Sequence, residues 1–71
     1  MAQEVLAALS GNIWKVHVEA GDTVEEDDEI IIVEALKMEI AIYAPCDGTI
    51  SEVRVKKGDT VEEDDVLAVI D

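Results

Sequence analysis

The amino-acid sequence is written twice. Residues 11–34 read GNIWKVHVEAGDTVEEDDEIIIVE and residues 48–71 read GTISEVRVKKGDTVEEDDVLAVID, so at an offset of 37 twelve of the 24 aligned positions are identical. The octet Gly-Asp-Thr-Val-Glu-Glu-Asp-Asp stands unchanged in both copies, and most other positions keep their character: Ile30 matches Leu67, Ile32 matches Val69 and Glu34 matches Asp71. Two copies are too few for a solenoid, which needs three or more units to bury a continuous core. The repeat predicts a single domain, residues 1–71, built from two similar halves about a pseudo-two-fold axis.

Each half reads as short strands. Val16 and Val18, like Val53 and Val55, alternate with polar residues at the period of a half-buried strand. Gly-Asp then breaks the strand, an acidic loop follows, and a second apolar run closes the unit at Ile30–Val33 and again at Val66–Ile70. Val5–Leu9 and Ile40–Ala44 lie upstream of Gly11 and Gly48 and complete three or four strands per half. Valine, isoleucine and threonine fill 21 of the 71 positions, and stiff β-branched side chains suit a pleated sheet better than a helix. No segment combines a helical period with caps. The expected fold is all-β, a flattened barrel or sandwich of two sheets packed face to face. The offset also places Lys37 in the connection between the halves, with its symmetry mate where the chain begins and ends. A two-fold relation then sets Lys37 and the termini at opposite poles.

Charge removes several classes of function. The formal charge is −13, with only five Lys and Arg, whereas nucleic-acid binding rests on such residues neutralising phosphates. An anionic membrane surface repels the chain for the same reason. Self-repulsion favours a monomer, and the field steers it toward basic partner surfaces. No apolar run approaches a membrane span and no signal peptide is read. Cys46 stands alone, without a disulfide partner, so the cytoplasm is the expected compartment. Glu25–Glu29 and Glu62–Asp65 lack the alternating ligands and central glycine of a calcium loop and read as solvated loops; no metal site is expected. His17 has no second histidine with which to share a metal. Trp14 fits either the domain surface or the end of a strand. A chain this short cannot bury a deep substrate cavity as well as a core. With no paired acid and base, and no nucleophile beside a base, no catalytic residue is expected.

One segment is unusual. Between Ile30 and Ala44 the chain is apolar except for Glu34, Lys37, Glu39 and the Tyr43 hydroxyl. If Ile30–Val33 and Ile40–Ala44 are antiparallel neighbours, residues 35–39 contain the reversal. They include none of the Gly, Asn, Asp or Pro that dominate tight turns. The tip instead presents Lys37 between Leu36 and Met38. Two large exposed apolar residues cost solubility and add nothing to a core, which points to a surface that another molecule reads.

The motif Glu34-Ala35-Leu36-Lys37-Met38-Glu39 resembles the Glu-Ala-Met-Lys-Met of the biotinyl/lipoyl carrier family, biotinyl branch. Gly11, Gly21-Asp22-x-Val24, Ala44-Pro45-x-x-Gly48 and Gly58-Asp59-x-Val61 also resemble family positions, so the likeness covers nearly the whole chain. It implies a flattened barrel of two four-stranded antiparallel sheets, with Lys37 on an exposed hairpin. Lys37 would carry covalent biotin, added by a biotin protein ligase that reads Glu34, Ala35, Leu36, Met38 and Glu39. Biotin carboxylase and a carboxyltransferase or decarboxylase would be the further partners, and the domain itself would catalyse nothing. The acceptor, an acyl-CoA or a keto acid, is not legible. Two departures stand out. Leu36 replaces the usual Met, a change that keeps volume and polarity. Lipoyl domains resemble Asp-Lys-Ala here, and neither Leu36 nor Met38 fits that pattern; lipoylation is the alternative carrier reading, and an unmodified interaction module is the non-carrier one. Asp27 and Asp64 stand where the family usually has Gly, so both are expected at positive φ, which Asp tolerates better than most residues.

Overall fold

The computed structural model describes residues 2–71. Eight strands follow one another: β1 (Gln3–Leu6), β2 (Gly11–Val16), β3 (Thr23–Val24), β4 (Glu29–Ala35), β5 (Met38–Tyr43), β6 (Gly48–Val53), β7 (Thr60–Val61) and β8 (Val66–Ile70). They form two four-stranded antiparallel sheets, the first ordered β1-β8-β6-β3 and the second β5-β4-β2-β7. A shift of 37, forward for β1 and β3 and backward for β8 and β6, converts the first order into the second, strand by strand. The all-β architecture and the pseudo-two-fold symmetry expected from the repeat are both present.

The symmetry extends to single hydrogen bonds. Ile13 N–H donates to the Asp59 carbonyl and Ile50 N–H to the Asp22 carbonyl, each at 2.7 Å. Ile13 pairs with Val33 as Ile50 pairs with Ile70, and a bulge follows each pair, at Trp14 and at Ser51. A further bulge in β4 explains why Ile30 and Ile31 are both buried despite being neighbours. Leu67 and Ala68 repeat this in β8.

The β1 ladder is shorter than Val5–Leu9. It stops at Leu6 because the Ala7 N–H donates instead to the Asp65 carbonyl and the Ala7 carbonyl accepts from the Asp64 N–H, both at 2.9 Å. Ala44 does the same with Asp28 and Asp27 at the end of β5. These bonds tie the end of each outer strand to the turn that leads into its neighbour.

The duplicated octet serves as turn scaffolding. Asp22, Asp28, Asp59 and Asp65 each accept, through Oδ2, the backbone N–H three residues earlier at 2.8–3.0 Å. Each of these four-residue turns also has the backbone bond between its ends. Their third residues are Gly21 (φ 99°), Asp27 (72°), Gly58 (97°) and Asp64 (70°), the backbone demand of a type II turn. Asp27 and Asp64 thus share the positive-φ conformation expected of them.

The core is aliphatic: Ile13, Ile30, Ile31, Val33, Ile50, Leu67 and Ile70 are its largest fully buried side chains. The chain's two aromatic residues, Trp14 and Tyr43, take no part in it. No helix among the described residues is long and apolar enough to cross a membrane.

Candidate functional site

The β4–β5 hairpin joins the two halves. Its register pairs Ile31 with Ile42, Ile32 with Ala41, Val33 with Ile40, Glu34 with Glu39 and Ala35 with Met38, leaving Leu36 and Lys37 as a two-residue loop. Both loop residues lie in the left-handed region, at φ 51° and 65°. That is the φ requirement of a type I′ turn, whose twist matches the twist of the flanking strands. Asn-Gly usually meets this requirement, because an L-residue with a large Cβ pays about 1–2 kcal/mol in the left-handed region. Here a leucine and a lysine meet it, held by the ladder on either side.

The base of the hairpin is firm. Ala35 is 8% exposed and lies beneath the tip. Gly11 opens β2 so close to β4 that a Cβ there would fall 2.5 Å from the Glu34 carbonyl oxygen and 3.2 Å from the Ala35 Cβ. Only a glycine lets the two backbones meet at this distance. The tip itself is open: Leu36 is 91% and Met38 63% exposed. Lys37 is exposed and forms no ion pair among the described residues. The Lys37 amine therefore projects from a rigid support, with an apolar side chain on each side.

Of the remaining candidates, Glu34 and Glu39 face each other across the ladder on the outer surface of the second sheet. Like charges in that position repel, and neither carboxylate is in an ion pair among the described residues. Glu39 instead accepts a hydrogen bond from Trp14 Nε1. The Lys57 ammonium sits 5.2 Å from the centroid of the same indole. Ala35 differs from its neighbours in the motif, because its side chain points into the protein and acts by the small space it takes. The structure thus brings Glu34, Leu36, Lys37, Met38 and Glu39 together at the surface, with Ala35 under them.

Two features of the site are invisible in the sequence. An open groove beside Lys37 is formed by Leu9–Asn12 and Glu34–Lys37; only tertiary packing places the β1–β2 connection there. Trp14 crosses to Glu39 from a strand 25 residues earlier. His17 lies away from the tip, its Nε2 3.0 Å from Glu29 Oε1, and Cys46 packs against the edge of the core. Among the described residues no group of three or more His, Cys, Asp or Glu is placed to hold a metal.

Lys37 thus combines a backbone fixed by the ladder, a free approach and no counter-ion among the described residues. Known proteins resemble the chain in sequence and in fold. The profile of the family described as "Biotin-requiring enzyme" matches residues 3–70. The biotin/lipoyl attachment protein of Bacillus subtilis is 56% identical over 36 residues, which is 51% of this chain and 49% of that protein. The crystal structure of Kluyveromyces lactis urea carboxylase superposes with a TM-score of 0.92 at 37% identity, covering 99% of this chain and 6% of the enzyme. The lipoyl domain of the Azotobacter vinelandii 2-oxoglutarate dehydrogenase complex gives 0.74 at 28% identity, over 89% of this chain and 80% of that domain. The chain thus spans about half of the first relative and a small part of the carboxylase.

Proposed function

Since this chain belongs to the biotin/lipoyl attachment family, we propose that Lys37 carries biotin in amide linkage and that residues 1–71 form one biotinyl domain serving a carboxylase, decarboxylase or transcarboxylase. It is a biotinyl domain similar to that of urea carboxylase. The observation that carries the site is the two-residue turn: a lysine held at φ 65° between side chains 91% and 63% exposed.

The roles of the residues follow from their places. Leu36 and Met38 supply an apolar grip for a biotin protein ligase, Glu34 and Glu39 flank it with charge, and Ala35 leaves the hairpin room to close. An ammonium is not a nucleophile, so the ligase removes a proton from Lys37 as its amine attacks the acyl carbonyl of the activated biotin and AMP departs. Bound biotin supplies a ureido nitrogen able to hold a carboxyl group. The domain supplies position: a lysine stem on a stiff sheet, whose tethering raises the effective concentration of the cargo at a biotin carboxylase and at a carboxyltransferase or decarboxylase. The domain has no catalytic residue of its own in this reading, and its charge keeps it a monomer. The superposition on a lipoyl domain keeps lipoylation as the second reading, but the Leu36 and Met38 flanks favour biotin.

Intact mass spectrometry of the native protein and of Lys37→Arg is the test. The wild type gains the mass of one biotinyl amide. The variant keeps the positive charge, loses the acylable amine, and stays unlabelled with an unchanged melting temperature. A lipoyl mass on Lys37 overturns the choice of cofactor, and label on Lys15, Lys56 or Lys57 overturns the choice of residue.

A further inference from the structure

The two sheets share one design, so a difference between their outer faces is a departure from the repeat. Along the outer face of the second sheet stand Trp14, Lys15, Ile32, Ala41 and Tyr43. At the equivalent places the first sheet has Ser51, Glu52, Val69, Glu4 and Leu6. At these places the second sheet has both aromatic residues of the chain and a lysine, and lacks two carboxylates of the first. Trp14 is 42% and Tyr43 55% exposed, although an aliphatic core beside them leaves out every aromatic ring. Aromatic side chains in a protein's surface are the ones that anchor partners, since they cover a large area with few rotatable bonds.

The patch is rimmed toward the hairpin by Glu34 and Glu39, a like-charged couple that forms no ion pair among the described residues, and the tip lies just beyond them. Trp14 already holds a cation over its ring, in Lys57. A surface of this kind fits a partner with an apolar centre and an arginine- or lysine-bearing rim, whose guanidinium relieves the Glu34–Glu39 repulsion and competes with Lys57 for the indole face. A second copy of the chain does not fit, because it brings the same charge of −13. The partner must also tell Lys37 from Lys15, Lys56 and Lys57, and a two-residue turn offers little area for that choice. We propose that the outer face of the second sheet, centred on Trp14 and Tyr43, is the docking surface for the basic-rimmed enzyme that acylates Lys37. This rests on the reading of Lys37 given above and extends the recognised surface well beyond the motif.

The repeat itself supplies the variant. Trp14→Ser, Ala41→Glu and Tyr43→Leu together place on the second sheet what the same fold already carries on the first. Far-UV circular dichroism checks folding, and biotinylation by the cognate biotin protein ligase is followed at varied protein concentration. The inference expects KM to rise about tenfold or more, as loss of an aromatic anchor does, with kcat within about twofold, since the reacting atoms are untouched. The reverse exchange on the first sheet (Ser51→Trp, Glu4→Ala, Leu6→Tyr) leaves KM within about twofold. Should the triple variant fail to fold, Tyr43→Ser alone, at an exposed strand end, is expected to raise KM about threefold. Wild-type acylation at Lys37 with no change of KM in the folded variants overturns the docking face and leaves the acylated lysine standing. A concentration-dependent dimer of the wild type that the exchange abolishes also overturns it, by assigning the face to a second copy. Absence of any acylation of wild-type Lys37 overturns both readings together.

Discussion

The hairpin tip stores strain, and releasing it should make the protein more stable and less useful. Leu36 occupies φ 51° and is 91% exposed, so replacing it removes almost no packing. A leucine in the left-handed region costs about 1–2 kcal/mol, while asparagine, whose short side chain bonds locally, visits that region several-fold more often. Leu36→Asn therefore recovers about 0.5–1 kcal/mol, with less unfolded-state entropy than glycine would add. For a domain of this size 1 kcal/mol corresponds to a shift of roughly 4–8 °C, so a rise of about 2–8 °C is expected. Differential scanning calorimetry measures it, with urea titration at constant slope confirming that the folded state has changed rather than the unfolded one. Biotinylation of the same variant should slow, because the apolar flank of Lys37 is gone; gain in stability with loss in function is the usual signature of a strained working site. An unchanged or lowered melting temperature would refute the idea that this turn is held against its own preference.

Three further outcomes follow from named contacts. Leu36→Asp with Met38→Ala should slow biotinylation severalfold with little change in stability, as both side chains are exposed; a large drop in melting temperature would show that they support the core. Asp27→Gly and Asp64→Gly, at φ 72° and 70°, should be neutral or slightly stabilising, whereas Asp→Val at either should cost about 1 kcal/mol or more. Chemical denaturation should give matching values at the two sites, since a clear difference would break the equivalence of the halves. Gly11→Ala places a Cβ 2.5 Å from the Glu34 carbonyl oxygen and should cost about 1–3 kcal/mol, with faster hydrogen exchange in β4 near the tip; wild-type stability would show that the strands part freely there.

Much of this protein was legible before any coordinates. A repeat at a fixed offset dictates equivalent environments, because the same side chains with the same periodicity find the same partners. Hence the two sheets and the linking position of Lys37 could be read from the repeat, and the positive φ of Asp27 and Asp64 from the glycines that the family it resembles usually has there. The exposed Leu36-Lys37-Met38 tip was legible too, since apolar residues at a reversal with no core to join must face outward. Short-range pattern has no access to what the halves do to each other. The bulge that buries Ile30 beside Ile31, the end of β1 at Leu6, the left-handed backbone at Leu36 and Lys37, and the reach of Trp14 to Glu39 all depend on bonds between distant residues. Ala35 makes the difference plain. In the motif it is one residue among six, but the strand period turns its side chain inward, and the near approach of Gly11 requires it to be small. Sequence alone named the six residues of the motif; tertiary packing decided which of them face outward and which hold the others in place.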